Sequence, residues 1–363
     1  MDAEAFRMKV LQVASSLSDW GGIERYVLYL SRGLSERNHD VTVAVPANSP
    51  LATQLRAEGR SIEEISVVKK FDFDALRRYL ALFRGQKFDV VHGHFSPDFV
   101  VAGVAARLRR VPVSVMTRHV ALPWAKAKAN VYLKLWKGII PVSNAVKQKL
   151  SDSGVPESRM CVAKAGTPRL IATKGREEMR AELGLRVGSF AAGSFSRLVK
   201  EKGIDIFLRS IPWAPDVQAV IYGEGPAGEE LAQLSSFLKV ANQVSFMGRV
   251  TDIANHMSAM DVVVIPSVWD EAFPYAALEA LSLGVPVVAS EIGGLPEIVV
   301  PNENGFLFTK GSPQDLGRAL NDARSDDDRR ARLAKNGKAL QEAEYTVEKM
   351  AERIEGAYRQ FGA

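Results

Sequence analysis

Three features of the chain predict an α/β fold class made of two doubly wound domains, each a parallel sheet with helices on its faces. Its 363 residues are too many for one ordinary core and suit two domains of roughly 150 to 200 residues. Short β-branched runs alternate with segments whose apolar residues recur at helical spacing, the signature of strand and crossover helix. That alternation breaks at Gly166-Thr167-Pro168-Arg169 and the charged stretch Lys174 to Arg180, then starts afresh. The boundary places a first domain over residues 1–170 and a second over 171–345.

In the first domain, Lys9 to Ala14 reads as a short buried strand. Gly21-Gly22 turns the chain into a helix over Ile23 to Glu36, with Val27, Leu30 and Leu34 on one face, and Val41 to Val45 is the next strand. Strand, glycine turn, helix and strand form a βαβ unit of the Rossmann kind. Asp89 to His92, Val113 to Met116 and Gly138 to Val142 extend the sheet. The second domain repeats the scheme with strands at Ser189 to Gly193, Gln218 to Gly223, Val244 to Phe246, Val262 to Ile265 and Val285 to Ser290, while Asn304-Gly305-Phe306-Leu307 reads as a turn. Two such units facing each other would leave a cleft at the carboxyl ends of their strands, where ligands of α/β folds bind.

Composition narrows the function classes. With 47% hydrophobic and 25% charged residues the chain has the make-up of a soluble globular protein. The single cysteine, Cys161, allows no internal disulfide, fits a reducing compartment, and beside Met160 and Val162 reads as a structural thiol. No Cys/His cluster has zinc spacing. The acidic start, Met1 to Arg7, argues against a secretory leader, with the fold expected to begin near Met8, and no apolar run approaches the roughly 18 residues of a spanning helix. A cytoplasmic location is therefore expected. Charge is uneven: residues 1–165 hold 25 Lys/Arg against 15 Asp/Glu, whereas the remainder holds 22 against 27. The basic half invites an acidic partner. Within it, Leu122 to Lys137 interleaves lysines with Trp124, Tyr132 and Trp136 on one expected helix. Such a segment lies either on an anionic membrane surface, at the inner membrane face, or against the core with a solvated lysine side. No recognition motif accompanies the basic residues, so nucleic acid is not the expected partner.

The most informative stretch runs from Asp270 to Ala280. The strand ending at Ser267 feeds it, a helix is expected to begin at Pro274, and Gly284 and Pro286 stop that helix. Glu271 then lies in the loop before a positively polarised helix start, and Glu279 on the helix's second turn. The two carboxylates are too far apart along the element to flank one glycosidic oxygen as acid and base, which disfavours a hydrolase. Both suit hydroxyls of a ligand whose phosphates rest at the helix end. This Glu-x7-Glu, followed by Gly-Val-Pro-Val-Val-Ala-Ser and by Gly293-Gly294-Leu295-Pro296-Glu297, resembles the nucleotide-sugar half of the family 4 glycosyltransferases, retaining enzymes of the GT-B fold.

The resemblance covers nearly the whole chain and implies a role for each of its motifs. It implies a last helix over 346–363 that crosses back to complete the first domain. Ser194 to Gly203 matches the family's Gly-Arg-Leu-x-x-x-Lys-Gly segment, so by resemblance Arg197 and Lys202 hold the donor diphosphate and stabilise the charge left on the departing nucleotide. Gly21-Gly22-Ile23-Glu24 matches its Gly-Gly-x-Glu loop, whose backbone approaches the donor phosphates; the same residues fail the Gly-x-Gly-x-x-Gly fingerprint of a dehydrogenase. Glu24 reads equally as a structural cap. Gly223 belongs to a Gly-x-Gly-Pro turn, and Arg249 to a segment that in the family meets the nucleobase. The same likeness has Glu271 binding hydroxyls of the donor sugar, Pro274, Tyr275 and Ala276 forming the helix start beside it, and Glu279 taking the ribose. It has His119 touching the transferred sugar, with one histidine of the strand-end motif His92-Gly93-His94 close by. Family members often carry an Asp after that histidine, and Val120 stands here. Three histidines as metal ligands lack a further ligand at suitable spacing, and a metal-independent, cofactor-free reaction is expected. The function implied is transfer of a hexosyl unit, with retention, from a UDP- or GDP-sugar to a saccharide or lipid-linked acceptor in bacterial cell-envelope polysaccharide or lipopolysaccharide synthesis. A nucleotide-sugar epimerase of the same fold, which needs no acceptor, and a non-catalytic nucleotide- or carbohydrate-binding protein are the rival readings.

Overall fold

The computed structural model describes residues 7–69 and 71–362; residues 1–6, on which the reading against a leader rests, lie outside the described residues. The chain divides into two compact units, one running to Pro168 and resuming at Thr346, the other from Arg169 to Tyr345.

In the first unit, β1 (Lys9–Val13), β2 (Asp40–Val45), β3 (Ser61–Glu64), β4 (Val90–Gly93), β5 (Val113–Arg118) and β6 (Gly138–Pro141) form one sheet in the order β3-β2-β1-β4-β5-β6, every pair parallel. In the second, β7 (Phe190–Phe195), β8 (Val217–Tyr222), β9 (Val244–Gly248), β10 (Val262–Ile265), β11 (Val287–Ser290) and β12 (Gly305–Phe308) form a parallel sheet in the order β12-β11-β10-β7-β8-β9. Each unit thus repeats one doubly wound topology, with its switch point between the first and fourth strands, β1 and β4 or β7 and β10. The central strands are largely apolar and buried on both faces, as parallel sheets covered by helices require, with Gln12 in β1, His92 in β4 and Ser194 in β7 as buried polar residues.

Two edge strands correct the sequence reading. β3 was not foreseen, because Ser-Ile-Glu-Glu has no apolar run; it is half-exposed and owes its form to pairing Thr42 with Ser61 through Glu64 with Val45. The segment read as a turn at Asn304 to Leu307 is only partly so. Asn304 makes the turn, its amide bonding the Val300 nitrogen at 2.8 Å and the Ile298 carbonyl at 2.8 Å, but Gly305–Phe308 is β12, paired to β11.

The C-terminal helix, Val347–Gly362, packs on the first unit. Met350, Ala351, Ile354, Ala357, Tyr358 and Phe361 repeat at helical spacing and are all buried. Two glycines make room for it: a β-carbon at Gly33 would lie 2.9 Å from Ala351, and one at Gly138 would lie 2.3 Å from the Phe361 ring.

The segment 122–137 corrects a further expectation. Only Lys126–Leu135 is helical, and Trp124, Tyr132 and Trp136 are 5%, 1% and 1% exposed. Trp124 meets Tyr132, and Tyr132 and Trp136 meet Phe99, edge to face, and the Trp136 indole donates to the Phe99 carbonyl at 2.8 Å. The rings are committed to the core; Lys126, Lys128 and Lys134 remain outside. Cys161 is half-buried, and burial pushes its thiol up, away from the reactive thiolate.

Candidate functional site

In the second unit, the loops leaving the carboxyl ends of β7 to β11 are fastened to one another. Gly203 has φ 64°, and a β-carbon there would lie 2.0 Å from the Pro266 carbonyl oxygen, so the loop after β7 is pressed onto the loop after β10. The Val268 nitrogen donates to the Glu201 carbonyl at 3.0 Å across the same seam. Gly223, with φ 120°, lets the turn after β8 close to 1.9 Å of the Ser196 oxygen at the β-carbon position, and its nitrogen donates to Gly248 at 2.7 Å. These glycines serve backbone contact, which any side chain would prevent.

Glu271 sits at the centre of that seam. Its Oε1 accepts from Lys202 Nζ at 2.6 Å and from Ser267 Oγ at 2.6 Å. Ser267 is in turn held by Ser290, whose hydroxyl donates to the Ser267 carbonyl at 2.8 Å, and the Glu271 carbonyl accepts from the Gly294 nitrogen at 2.7 Å. Gly293, with φ 53°, carries the turn that makes this last bond. Glu271 Oε2 has no partner among the described residues. Both Glu271 and Lys202 stay partly open to solvent. The pair is a preset carboxylate and ammonium with unused acceptor and donor capacity, which is what a polyhydroxylated, phosphorylated ligand needs.

The helix after this loop is Tyr275–Ser282, and its start corrects the sequence reading by one position. Pro274 is the cap, with extended backbone (ψ 127°), and Tyr275 is the first helical residue. Glu279 lies on the second turn and is 5% exposed; Tyr275 is buried and Ala276 half-buried. Arg197 and Arg249 both project from loops and are exposed, and no side-chain hydrogen bond or ion pair engages either among the described residues. An Arg with five uncommitted donors is suited to a diphosphate.

The first unit gathers a different set at the ends of β4 and β5. His92 does not face outward as expected. It is fully buried, with Nδ1 2.7 Å from the Tyr358 hydroxyl on the C-terminal helix and Nε2 2.6 Å from Thr117 Oγ1. His94 stacks on it at 4.2 Å between ring centres and is also buried, at 1%. His119 is half-buried, 5.9 Å from His94, and takes the edge of Tyr26 at 4.5 Å. Its Nε2 is buried without a hydrogen-bond partner. Burial lowers all three imidazoles, His119 to about 3 with the Arg118 charge assisting, and His92 and His94 well below the usual range. They are neutral donors and acceptors at physiological pH. Among the described residues no group of three His, Cys, Asp or Glu could hold a metal ion.

Gly21 caps the first helix, Gly22–Glu36, with an extended backbone of φ −151°, so its value is space: a β-carbon would lie 3.2 Å from the Glu24 carboxylate. Gly22 is exposed and Glu24 buried. Sequence reasoning missed Ser267, Ser290, Thr117 and Tyr358. Each is an ordinary hydroxyl in the linear pattern, and Tyr358 reaches His92 across 266 residues.

Two parallel six-stranded units with these loops at the strand ends define a glycosyltransferase of the GT-B class. The chain matches the family described as glycosyl transferases group 1 over residues 175–340 and glycosyltransferase family 4 over residues 20–167. These matches together span most of the chain, which belongs to the family 4 glycosyltransferases. A D-inositol 3-phosphate glycosyltransferase of Mycobacterium marinum is 27% identical over 354 residues, which cover 85% of this chain and 75% of that protein. An Escherichia coli UDP-Gal:alpha-D-GlcNAc-diphosphoundecaprenol alpha-1,3-galactosyltransferase is 27% identical over 314 residues, 79% of this chain and 80% of that one. Among solved structures, Anabaena HepE in complex with UDP superposes with a TM-score of 0.86 at 24% identity, over 96% of this chain and 99% of that one. A Rickettsia africae glycosyltransferase does so at 0.89 and 18%, over 98% and 99%. At these identities the structures speak for the fold alone.

Proposed function

We propose that this glycosyltransferase moves a hexosyl unit, with retention of configuration, from a UDP- or GDP-sugar to a saccharide or lipid-linked acceptor used in building the cell envelope. The observation that carries the reading is the Lys202–Glu271 pair at 2.6 Å, held by Ser267 and by the Gly293-Gly294 turn at the start of the Tyr275–Ser282 helix. A cation for the diphosphate and a carboxylate for sugar hydroxyls stand side by side, near a helix end that favours anions.

In this reading Arg197 and Lys202 hold the diphosphate, Arg249 lies toward the nucleobase, Glu279 takes the ribose, and Glu271 and the neutral His119 orient the sugar. The glycosyl carbon's bond to the phosphate oxygen breaks as its bond to the acceptor oxygen forms on the same face. The acceptor's proton passes to the leaving phosphate oxygen, and the nucleoside diphosphate departs. The two cations meet the growing negative charge in place of a metal ion, a role worth about 10²–10³ in rate for a single donor. The E. coli relative's name specifies an acceptor carried on a diphosphoundecaprenol, which supports a lipid-linked acceptor here. Among the described residues no helix is long and apolar enough to cross a membrane, and we place the enzyme in the cytoplasm, meeting lipid-borne acceptors at the inner membrane face.

Incubation with UDP- and GDP-hexoses and a lipid-linked saccharide tests this, with product configuration read by NMR and a chelator added in parallel. Release of nucleoside diphosphate with a retained anomer, unaffected by the chelator, is expected. An inverted product would overturn retention, and acceptor-free change of the nucleotide sugar would establish the epimerase.

A further inference from the structure

Away from the strand ends that carry His94 and His119, at the amino-terminal edge of the first sheet, a cavity of about 600 Å3 opens between the end of the Asp98–Leu108 helix, the start of β5 and the end of the Lys126–Leu135 helix. Arg107, Arg110, Lys134, Lys137 and Arg159 line it, and no acidic residue does. None of the five makes an ion pair among the described residues.

Three of these cations are fixed by the fold. Arg107 donates to the Lys134 carbonyl at 2.7 Å and Lys137 to the Pro112 carbonyl at 2.6 Å. Arg159 donates to the carbonyls of Lys137 at 2.7 Å and Leu133 at 3.0 Å, and also to that of Trp136. Capping of carbonyls at the end of the Lys126–Leu135 helix accounts for where Arg107 and Arg159 sit, and the loop carbonyl of Pro112 for Lys137. Neither accounts for Arg110 and Lys134, whose exposed side chains bond to nothing described and extend the same positive wall. Five like charges around one recess repel one another unless an anion enters, and three are already immobilised, so ordering them costs a ligand little.

We propose that this recess is a binding site for a phosphate group, separate from the nucleotide-sugar site. A polyvalent oxyanion matches a recess lined by five cations and no acid, since guanidinium forks and ammonium groups can address its oxygens together. The phosphate is carried by a small solute or by a lipid headgroup, two sources that different probes distinguish.

The test uses the full chain at low ionic strength, where exposed charges are least screened. One arm titrates it calorimetrically with pyrophosphate; the other sediments it with phosphatidylcholine vesicles with and without phosphatidic acid. Lys134→Gln and Arg110→Gly are the site variants, Arg110 having φ 53°, a conformation glycine adopts freely, so both are expected to fold. Arg197→Gln in the second unit is the control for pyrophosphate at the donor site. The proposal expects the double variant to lose about tenfold or more in affinity for at least one probe, while Arg197→Gln keeps that component. Loss confined to pyrophosphate assigns a soluble phosphate, and loss confined to acidic vesicles assigns a headgroup. Binding by the double variant equal to the unmodified chain for both probes, or no binding of either probe beyond what Arg197→Gln removes, would overturn it. Nucleotide-sugar turnover is read separately and stays unchanged in the double variant, so this proposal and the transferase reading fail independently.

Discussion

At the scale of single residues, the chemistry rests on charges held ready before the ligand arrives. Glu271 is fixed through its Oε1 by Lys202 and Ser267 and through its carbonyl by Gly294. Glu271→Gln keeps the size and removes the charge, and should lower kcat by about 10²–10³ while leaving the melting temperature nearly unchanged; a kcat within a few-fold of the unmodified enzyme would remove Glu271 from the reaction. His119 carries a different expectation. Its imidazole, lowered to about 3 by burial, is neutral across the working range. A plot of kcat/KM against pH should therefore show no inflection from it near the ordinary value of about 6.5. An inflection there that disappears in His119→Ala would show that the ring titrates in solution-like surroundings. Of the candidate residues, Glu271, Glu279, Arg197 and Lys202 stood out in the sequence because their spacing sits inside a longer motif. Ser267 and Ser290 did not, since their role depends on the Ser267 hydroxyl meeting the Glu271 carboxylate and the Ser290 hydroxyl meeting the Ser267 carbonyl once β10 and β11 lie side by side.

At the scale of elements, glycines decide how closely the loops approach. Gly203→Ala and Gly293→Ala would drive a methyl to 2.0 Å and 2.2 Å of the Pro266 and Glu271 carbonyl oxygens, besides the strain of a positive φ. Gly311 has φ 72° with nothing within 4 Å, so Gly311→Ala isolates the backbone term. Urea unfolding should show the control losing about 1–2 kcal/mol and the two loop variants more, with nucleotide response lost only in the latter; equal losses in all three would mean that loop contact contributes nothing. The C-terminal helix is held in part by the Tyr358–His92 bond at 2.7 Å. Tyr358→Phe leaves that buried nitrogen unpaired and should cost about 1–3 kcal/mol, also read by urea unfolding. The apolar strands could be read from periodicity, and this helix only from the family resemblance. β3 and β12 could not, because an edge strand needs only a partner's hydrogen bonds, and Ser-Ile-Glu-Glu carries no pattern of its own. The rings of segment 122–137 show the reverse failure: lysines alternating with aromatics fit a membrane face or a core face equally, and only packing against Phe99 settles it.

At the scale of the whole molecule, stability should depend on pH with a sign set by buried groups. His92, His94 and His119 stay neutral in the fold but take up protons when unfolded, so stability is full above about 6.5 and falls as pH drops, for His119 toward about 3. Each contributes a slope of at most about 1.4 kcal/mol per pH unit. Asp98 opposes them: burial raises its carboxyl to about 7, so its contribution is present below about 4 and lost as pH rises to about 7. Three imidazoles outweigh one carboxyl, and urea stability should rise from about pH 4.5 to 6.5, more steeply in Asp98→Asn. A flat or falling curve would mean that the histidine cluster is hydrated. The central claim, that the second unit holds a nucleotide diphosphate sugar with Glu279 on the ribose, is tested most directly by calorimetric titration with UDP, GDP, ADP and TDP, on the unmodified chain and on Glu279→Ala. The account predicts that one nucleotide binds and that the variant weakens it by about tenfold or more. Binding of none of the four, or equal binding by the variant, would contradict it.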